Sequence, residues 1–152
     1  KEEFEKPTNF EFPKPKKRRV YINDILEDEI NGYSISKKLQ KSYIFKKDDK
    51  FPQIVDSDSK IQVKTLVSSY HKIQRVTGTF VKGGETGLRL LSENECKAMM
   101  GFPKTFKVPV SRTQMYRQFG NAVVVPVIKS ISKEVYKVLD TRYKIVSGKK
   151  KM

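Results

Sequence analysis

The chain has 152 residues, a mean hydropathy of −0.60 and a formal charge of +15, enough for one domain or for two small lobes sharing a core. Its cationic excess favours polyanionic partners, because Lys or Arg that neutralises a phosphate releases condensed counterions; nucleic acid leads, with a solvated lysine-rich surface as the plain alternative and ribosomal or membrane-surface binding still open. A single cysteine, Cys96, excludes an intrachain disulfide and a cysteine zinc cluster, and no apolar run approaches the roughly 20 residues that cross a bilayer.

Lys1-Glu2-Glu3-Phe4 has no signal-peptide character and no initiator Met, as expected of a fragment, a processed product or an engineered chain. Residues 1–19 read as an extended lead-in, punctuated by Pro7, Pro13 and Pro15 and closed by Lys16-Lys17-Arg18-Arg19. The apolar patch Val20–Leu26 predicts a short strand or a single helical turn, and weakly spaced apolar residues predict a short helix near residues 34–42. Ile61-Gln62-Val63-Lys64-Thr65-Leu66 alternates as a half-buried strand does, with Gly78-Thr79-Phe80-Val81 as its continuation or partner. Between them, residues 67–77 are rich in hydroxyls, amides and cations, and Lys82–Gly87 is a turn by composition.

Helical signals dominate the rest. Ser92-Glu93-Asn94-Glu95 is a capping box, and the helix it opens should end at Gly101-Phe102-Pro103, where glycine permits a left-handed cap and proline forbids continuation. Cys96 falls on this helix, and its default role is a small buried hydrophobe, in keeping with a reducing compartment. Ser111 should cap a second helix running through Phe119 and stopped by Gly120. From Asn121 onward, Val124, Ile128, Ile131, Val135 and Val138 or Leu139 recur at helical spacing, which predicts one long amphipathic helix with Pro126 in its first turns. Lys149-Lys150-Lys151 should fray.

Three of these stretches, in this order, resemble one family. Arg89-Leu90-Leu91-Ser92-Glu93-Asn94-Glu95-Cys96-Lys97-Ala98-Met99-Met100-Gly101-Phe102-Pro103 resembles the penultimate block of the DNA cytosine-5 methyltransferases. Residues 114–127, centred on Phe119-Gly120-Asn121-Ala122-Val123, resemble their last block. Upstream, Thr65-Leu66-Val67-Ser68-Ser69-Tyr70 resembles the element that closes their target-recognition domain, and Phe10-Glu11-Phe12-Pro13-Lys14-Pro15 resembles the bridge after their arginine-bearing block. The resemblance spans most of residues 10–140 and is weakest over 27–60, where members that read different DNA sequences differ.

The resemblance implies an α+β fold: a small β-rich target-recognition lobe followed by helices, the last docking on a Rossmann-like methyltransferase lobe absent from this chain. It divides the chain into a lead-in (1–19), a target-recognition domain (20–88), a helical segment with the last two blocks (89–147) and a basic tail (148–152). It further implies transfer of a methyl group from S-adenosylmethionine to C5 of a cytosine flipped out of duplex DNA; the Lys- and Ile-rich, Ala-poor composition adds an AT-rich bacterial genome, and with it a cytoplasmic, nucleoid-associated restriction–modification setting. The family's catalytic cysteine lies in an earlier block that is not present, and Cys96 sits in a different one. No catalytic or metal-binding residue is therefore expected here, and this chain alone should not methylate DNA. The lobe with the nucleophile is expected on a separate polypeptide, as in split two-subunit enzymes, or on the rest of a longer chain.

Because C5 is hidden in the stack, such an enzyme opens the duplex and reads base edges in the major groove. The resemblance points to Thr65, Ser68, Ser69 and Tyr70 as DNA contacts, and Lys64, His71, Lys72, Gln74 and Arg75 have the donors for phosphates or base edges. Asn121, Ala122 and Val123, expected at the start of the long helix, would complete the S-adenosylmethionine pocket; many relatives carry Ser where Ala122 stands, so a hydroxyl contact is lost. Plain N-capping by Asn121 is the alternative there, and a solvated hairpin is the alternative for 64–75. A non-catalytic DNA-binding module derived from such an enzyme is the competing function, with tRNA methylation as a minor third.

Overall fold

The computed structural model describes residues 10–15 and 20–148, with side chains described through Asp140. The remainder of the lead-in, including Lys16-Lys17-Arg18-Arg19, and the Lys149-Lys150-Lys151 tail lie outside the described residues. The chain divides into two compact units, residues 18–123 and residues 1–17 with 124–152, so residues 89–123 fall in one unit with 20–88.

In the larger unit, the Val20–Leu26 patch forms a single 3-10 turn at Ile22–Asp24, closed by the Tyr21 N–H donating to Asp24 Oδ2 at 2.8 Å. The expected helix at 34–42 lies at Lys37–Leu39 (α1), capped by Ser36 Oγ, and widens into a π-helical turn over Gln40–Ile44. Gln40 is buried at that widening, and its Nε2 donates to Ile35 O at 2.6 Å and Thr86 O at 3.2 Å. A buried amide with good partners is tolerated, and this one ties α1 to the Gly-rich turn.

A sheet of three short strands follows: β1 (Gln53–Val55), β2 (Thr79–Lys82) and β3 (Leu88–Arg89), in spatial order β1-β2-β3. β1 runs parallel to β2, with Ile54 opposite Phe80, and β2 runs antiparallel to β3, with Val81 opposite Arg89. The Lys82–Gly87 turn joins β2 to β3, with Gly84 and Gly87 at φ 67° and 81°. The α+β class stands, but the strand expected at 61–66 does not form. The Lys64 N–H donates to the Gln53 side chain at 3.0 Å rather than to a ladder, and β2 takes β1 as its neighbour instead. Alternation at 61–66 reflects Leu66 reaching the core from an irregular segment.

Beyond β3 the caps act as the sequence predicts. Ser92 and Glu95 form the capping box of α2 (Glu93–Met100), and Gly101 closes it at φ 74°. Ser111 caps the next helix, α3, which runs Arg112–Asn121 and so continues through Gly120 rather than stopping there. The core gathers Ile22, Ile35, Ile44, Val55, Leu66, Tyr70, Phe80, Val81, Leu88 and Leu91 with Cys96 from α2 and Met115, Tyr116 and Phe119 from α3. Burial pushes the Cys96 thiol up, so it stays protonated and packs as a small hydrophobe.

One buried ion pair is tied into this core. Glu95 is fully buried and accepts from both Arg89 terminal nitrogens at 2.8 Å, from the Ser92 N–H at 2.7 Å and from the Glu27 N–H at 2.9 Å. Arg89 also donates to Leu90 O and Glu27 O, both at 3.1 Å. Charges removed from water are held only where every lone pair and proton is met, and here nearly all are. β3, α2 and the 27–28 segment are thereby lashed together.

In the second unit, α4 runs Val125–Gly148, with Pro126 in its first turn, where its missing N–H has no intrahelical acceptor to serve. Val127, Ile128, Val135, Tyr136 and Leu139 are all exposed along it. The expectation that Asn121 opens this helix is corrected: Asn121 is the last residue of α3, and Ala122 ends that helix in extended conformation. A break is needed because a helix uninterrupted from Arg112 would require an N–H at Pro126 for the Ala122 carbonyl; proline has none, and its ring would crowd that oxygen.

Candidate nucleic-acid interface

The hydroxyl- and cation-rich stretch after Leu66 is a tight turn, with a 3-10 helix at Tyr70–Lys72. It is pinned from beneath. Tyr70 is 2% exposed, its hydroxyl donates to Thr79 O at 2.5 Å and accepts the Leu91 N–H at 3.0 Å, and its ring meets Tyr116 edge-on with centroids 5.0 Å apart. Tyr116 in turn donates to Leu91 O at 2.5 Å. Desolvation raises the pKa of both phenols, so each stays a neutral donor. Tyr70 is thus corrected from a DNA contact to an anchor: its polar atom is consumed inside the protein.

Gly120 pins the turn from the side. A Cβ on it would lie well under 3.0 Å from Val67 C, Ser68 N and Ser68 Cα. Glycine is required here not for an unusual φ but so that the helix can lie flat against the backbone of the turn. The turn leaves through Ile73 at φ 54°, an unusual conformation for a β-branched residue, which is held only where the surroundings over-determine it.

This close approach opens a shallow cleft of about 360 Å³ lined by Ser68, Ser69, His71 and Lys72 from the turn and by Arg117 and Asn121 from α3. The His71 ring shares a hydrogen bond through Nδ1 with Ser68 O at 3.1 Å, which orients the imidazole across the turn. No carboxylate lines the cleft; two hydroxyls and two fixed cations do. Such a lining suits a phosphate and disfavours a cationic ligand.

The other expected residues are dispersed. Thr65 is exposed at the start of the turn. Lys64 is half-buried, and its Nζ donates to Val76 O at 2.5 Å. Gln74 Oε1 accepts from Thr77 Oγ1 at 3.1 Å. Arg75 is corrected: it is 5% exposed, clasps both Asp48 oxygens at 2.6 and 2.7 Å and donates to Lys46 O at 2.8 Å and to Lys50 O, so it has no reach to a duplex. Its guanidinium holds the Asp48 carboxyl down to about 2, from an ordinary 3.8. Of the three residues expected at a cofactor, Asn121 and Val123 are exposed and Ala122 is half-buried, its N–H donating to Phe119 O at 3.2 Å. Arg117 was missed by sequence reasoning; it stands one turn before Asn121 on α3, so the helical period i, i+4 was a signal that could have found it.

Among the described residues no group of His, Cys, Asp and Glu could hold a metal ion, and no helix is long and apolar enough to cross a membrane.

Residues 1–137 match the family described as C-5 cytosine-specific DNA methylase. The chain is similar to the Type II methyltransferase M.MspI of Moraxella sp, 62% identical over 133 residues, covering 88% of this chain and 32% of that protein. It is similar also to M.BsuFI of Bacillus subtilis, 67% identical over 125 residues, covering 82% of this chain and 31% of that protein. It therefore spans about a third of the length of these relatives. Among solved structures, the Entamoeba histolytica methyltransferase EhMeth shares the fold with a TM-score of 0.67 at 24% identity, over 88% of this chain and 46% of that one. The S. pombe Dnmt2 methyltransferase does so with a TM-score of 0.66 at 20% identity, over 80% of this chain and 43% of that one. On the match over nine-tenths of its length and on these identities, the chain belongs to the C-5 cytosine-specific DNA methylase family.

Proposed function

We propose that this chain is the DNA-gripping part of a cytosine-5 DNA methyltransferase, completed by a lobe that carries the nucleophile, on another segment or another polypeptide. The observation that carries the reading is the cleft where α3 meets the Ser68–Lys72 turn: its two cations and two hydroxyls, free of carboxylates, suit the DNA phosphate backbone. Ser68, Ser69, His71, Lys72 and Arg117 hold the strand, with Thr65 exposed beside them and Lys64 and Gln74 at the margin. Residues 20–88 act as the recognition domain in this reading, and 89–147 connect it to the rest of the enzyme.

The exposed apolar residues of α4 support docking on that other lobe, since an unpaired apolar helix face is costly in water. S-adenosylmethionine supplies the transferable methyl group when bound. The fit to it here is partial. Asn121, Ala122 and Val123 offer one exposed amide and an apolar edge, while Lys72 and Arg117 repel a sulfonium, so the cleft is not its pocket. These three residues would close the cofactor site from one side only.

The test combines the chain with a separately expressed N-terminal two-thirds of M.MspI and follows transfer of labelled methyl groups to duplex DNA. Transfer is expected only with both pieces present. The Lys72→Ala, Arg117→Ala double variant should weaken DNA binding about equally on all sequences and lower the salt slope by about 2. Unchanged binding by that variant would refute the role of the cleft.

A further inference from the structure

His71 is the one histidine in the chain, and it lies in the cleft between α3 and the Ser68–Lys72 turn. Its ring is half-buried and bonds through Nδ1 to Ser68 O at 3.1 Å. A carbonyl oxygen only accepts, so that bond fixes the tautomer: Nδ1 carries its proton whether the ring is neutral or charged. The nitrogen that gains or loses a proton is therefore Nε2, which has no hydrogen-bond partner among the described residues. The rest of the lining decides what a charge there would meet. Lys72 of the same turn and Arg117 of α3 are cations, Ser68, Ser69 and Asn121 are neutral, and among the described residues no carboxylate lines the cleft. Nothing in that lining supplies a counter-ion to an imidazolium.

A DNA phosphate seated against Lys72 and Arg117 changes that balance. Its oxygens accept and do not donate, so a neutral Nε2, itself an acceptor, has no bond to offer them. A protonated Nε2 offers a charge-assisted bond, about twice as strong as a neutral one. We propose that His71 takes up a proton from solvent at Nε2 when the cleft engages the DNA backbone, so that the chain's grip varies with pH where imidazoles titrate. The sign follows from linkage. The protonated ring binds phosphate better, so binding carries a proton with it; affinity is full at the acid end and is lost as pH rises through the imidazole range. Lysine and arginine keep their charge across that range, and burial keeps Cys96 and the two core phenols protonated. The inference rests on the DNA-gripping reading and deepens it, adding a proton to what the cleft binds.

The test follows binding of a fixed duplex to the whole chain by fluorescence anisotropy from about pH 6 to pH 8, over a series of salt concentrations. Affinity should fall about fivefold from the acid to the alkaline end. The salt slope should be steeper by about 1 at the acid end, where a further phosphate is neutralised. His71→Asn keeps an amide N–H for Ser68 O and has no titrating nitrogen, so both readouts should become flat with pH. His71→Lys carries its charge throughout and should be equally flat while binding more tightly than His71→Asn. The single histidine also gives a single imidazole Cε1–H resonance, whose titration midpoint should move upward on adding duplex. Affinity independent of pH, a His71→Asn chain with the pH dependence of the original, or a midpoint unmoved by saturating duplex overturns the proposal. A chain that binds no duplex at any pH, or whose Lys72→Ala, Arg117→Ala variant binds unchanged, overturns the DNA-gripping reading itself, so the two failures are distinct.

Discussion

Glu95 illustrates how much one side chain can decide. Its position three residues after Ser92 marks it as the far half of a capping box, a role worth about 1 kcal/mol at a typical helix start. In the folded chain it also neutralises the buried Arg89 and accepts the Glu27 N–H. Sequence spacing makes the first role legible because it is local; the others join Glu95 to Arg89 on a different element, six positions away, and to Glu27, 68 positions away, and depend on tertiary packing. Glu95→Gln leaves Arg89 buried without a counter-charge and should cost roughly 3–5 kcal/mol in denaturant unfolding. Glu134→Gln, which breaks the exposed pair with Lys137, should cost no more than about 1 kcal/mol. Similar small losses for both would mean that the buried pair does not hold β3 to α2. Arg75 and Tyr70 carry the same lesson with the opposite outcome. Their donor groups make them attractive DNA contacts on paper, yet the Tyr70 hydroxyl and both terminal nitrogens of Arg75 are bonded inside the protein.

At the level of elements, α3 and the Ser68–Lys72 turn cannot be understood separately. Helix propensity alone favours Ala over Gly by about 1 kcal/mol in a helix interior, so Gly120→Ala would stabilise an isolated α3. Against the Val67–Ser68 backbone the added methyl has nowhere to go, and the expected outcome is a loss of about 1–3 kcal/mol together with weakened DNA binding, as the cleft is pried open. Thermal unfolding and duplex binding of that one variant check both. A stabilised chain would show that the helix and turn are not packed as described. Local signals located α2, α3 and the Gly-rich turn because caps and glycines act within a few residues. The strand expected at 61–66 failed for the complementary reason: alternation records burial, and Leu66 is buried without any ladder. β1 was invisible because three residues carry too little pattern to be distinguished from loop.

For the molecule as a whole, a charge of +15 on 152 residues makes electrostatics the dominant long-range force on any partner. Binding of duplex DNA should weaken roughly tenfold or more between about 50 and 200 mM salt, followed by fluorescence anisotropy, as expected when several phosphates are neutralised. Salt-insensitive binding would argue that the charge serves only solubility. The ordered family blocks, the capping signals, the buried lone cysteine and the cationic balance were all determined by the sequence itself, because each is local or a simple sum over residues. Tertiary structure alone decided which donors remain for a ligand, where α3 ends, and that Arg117 joins Lys72 across the cleft. Those outcomes turn on packing and desolvation between residues distant along the chain, where a hydrogen-bonding group is either spent on a neighbour or left facing water.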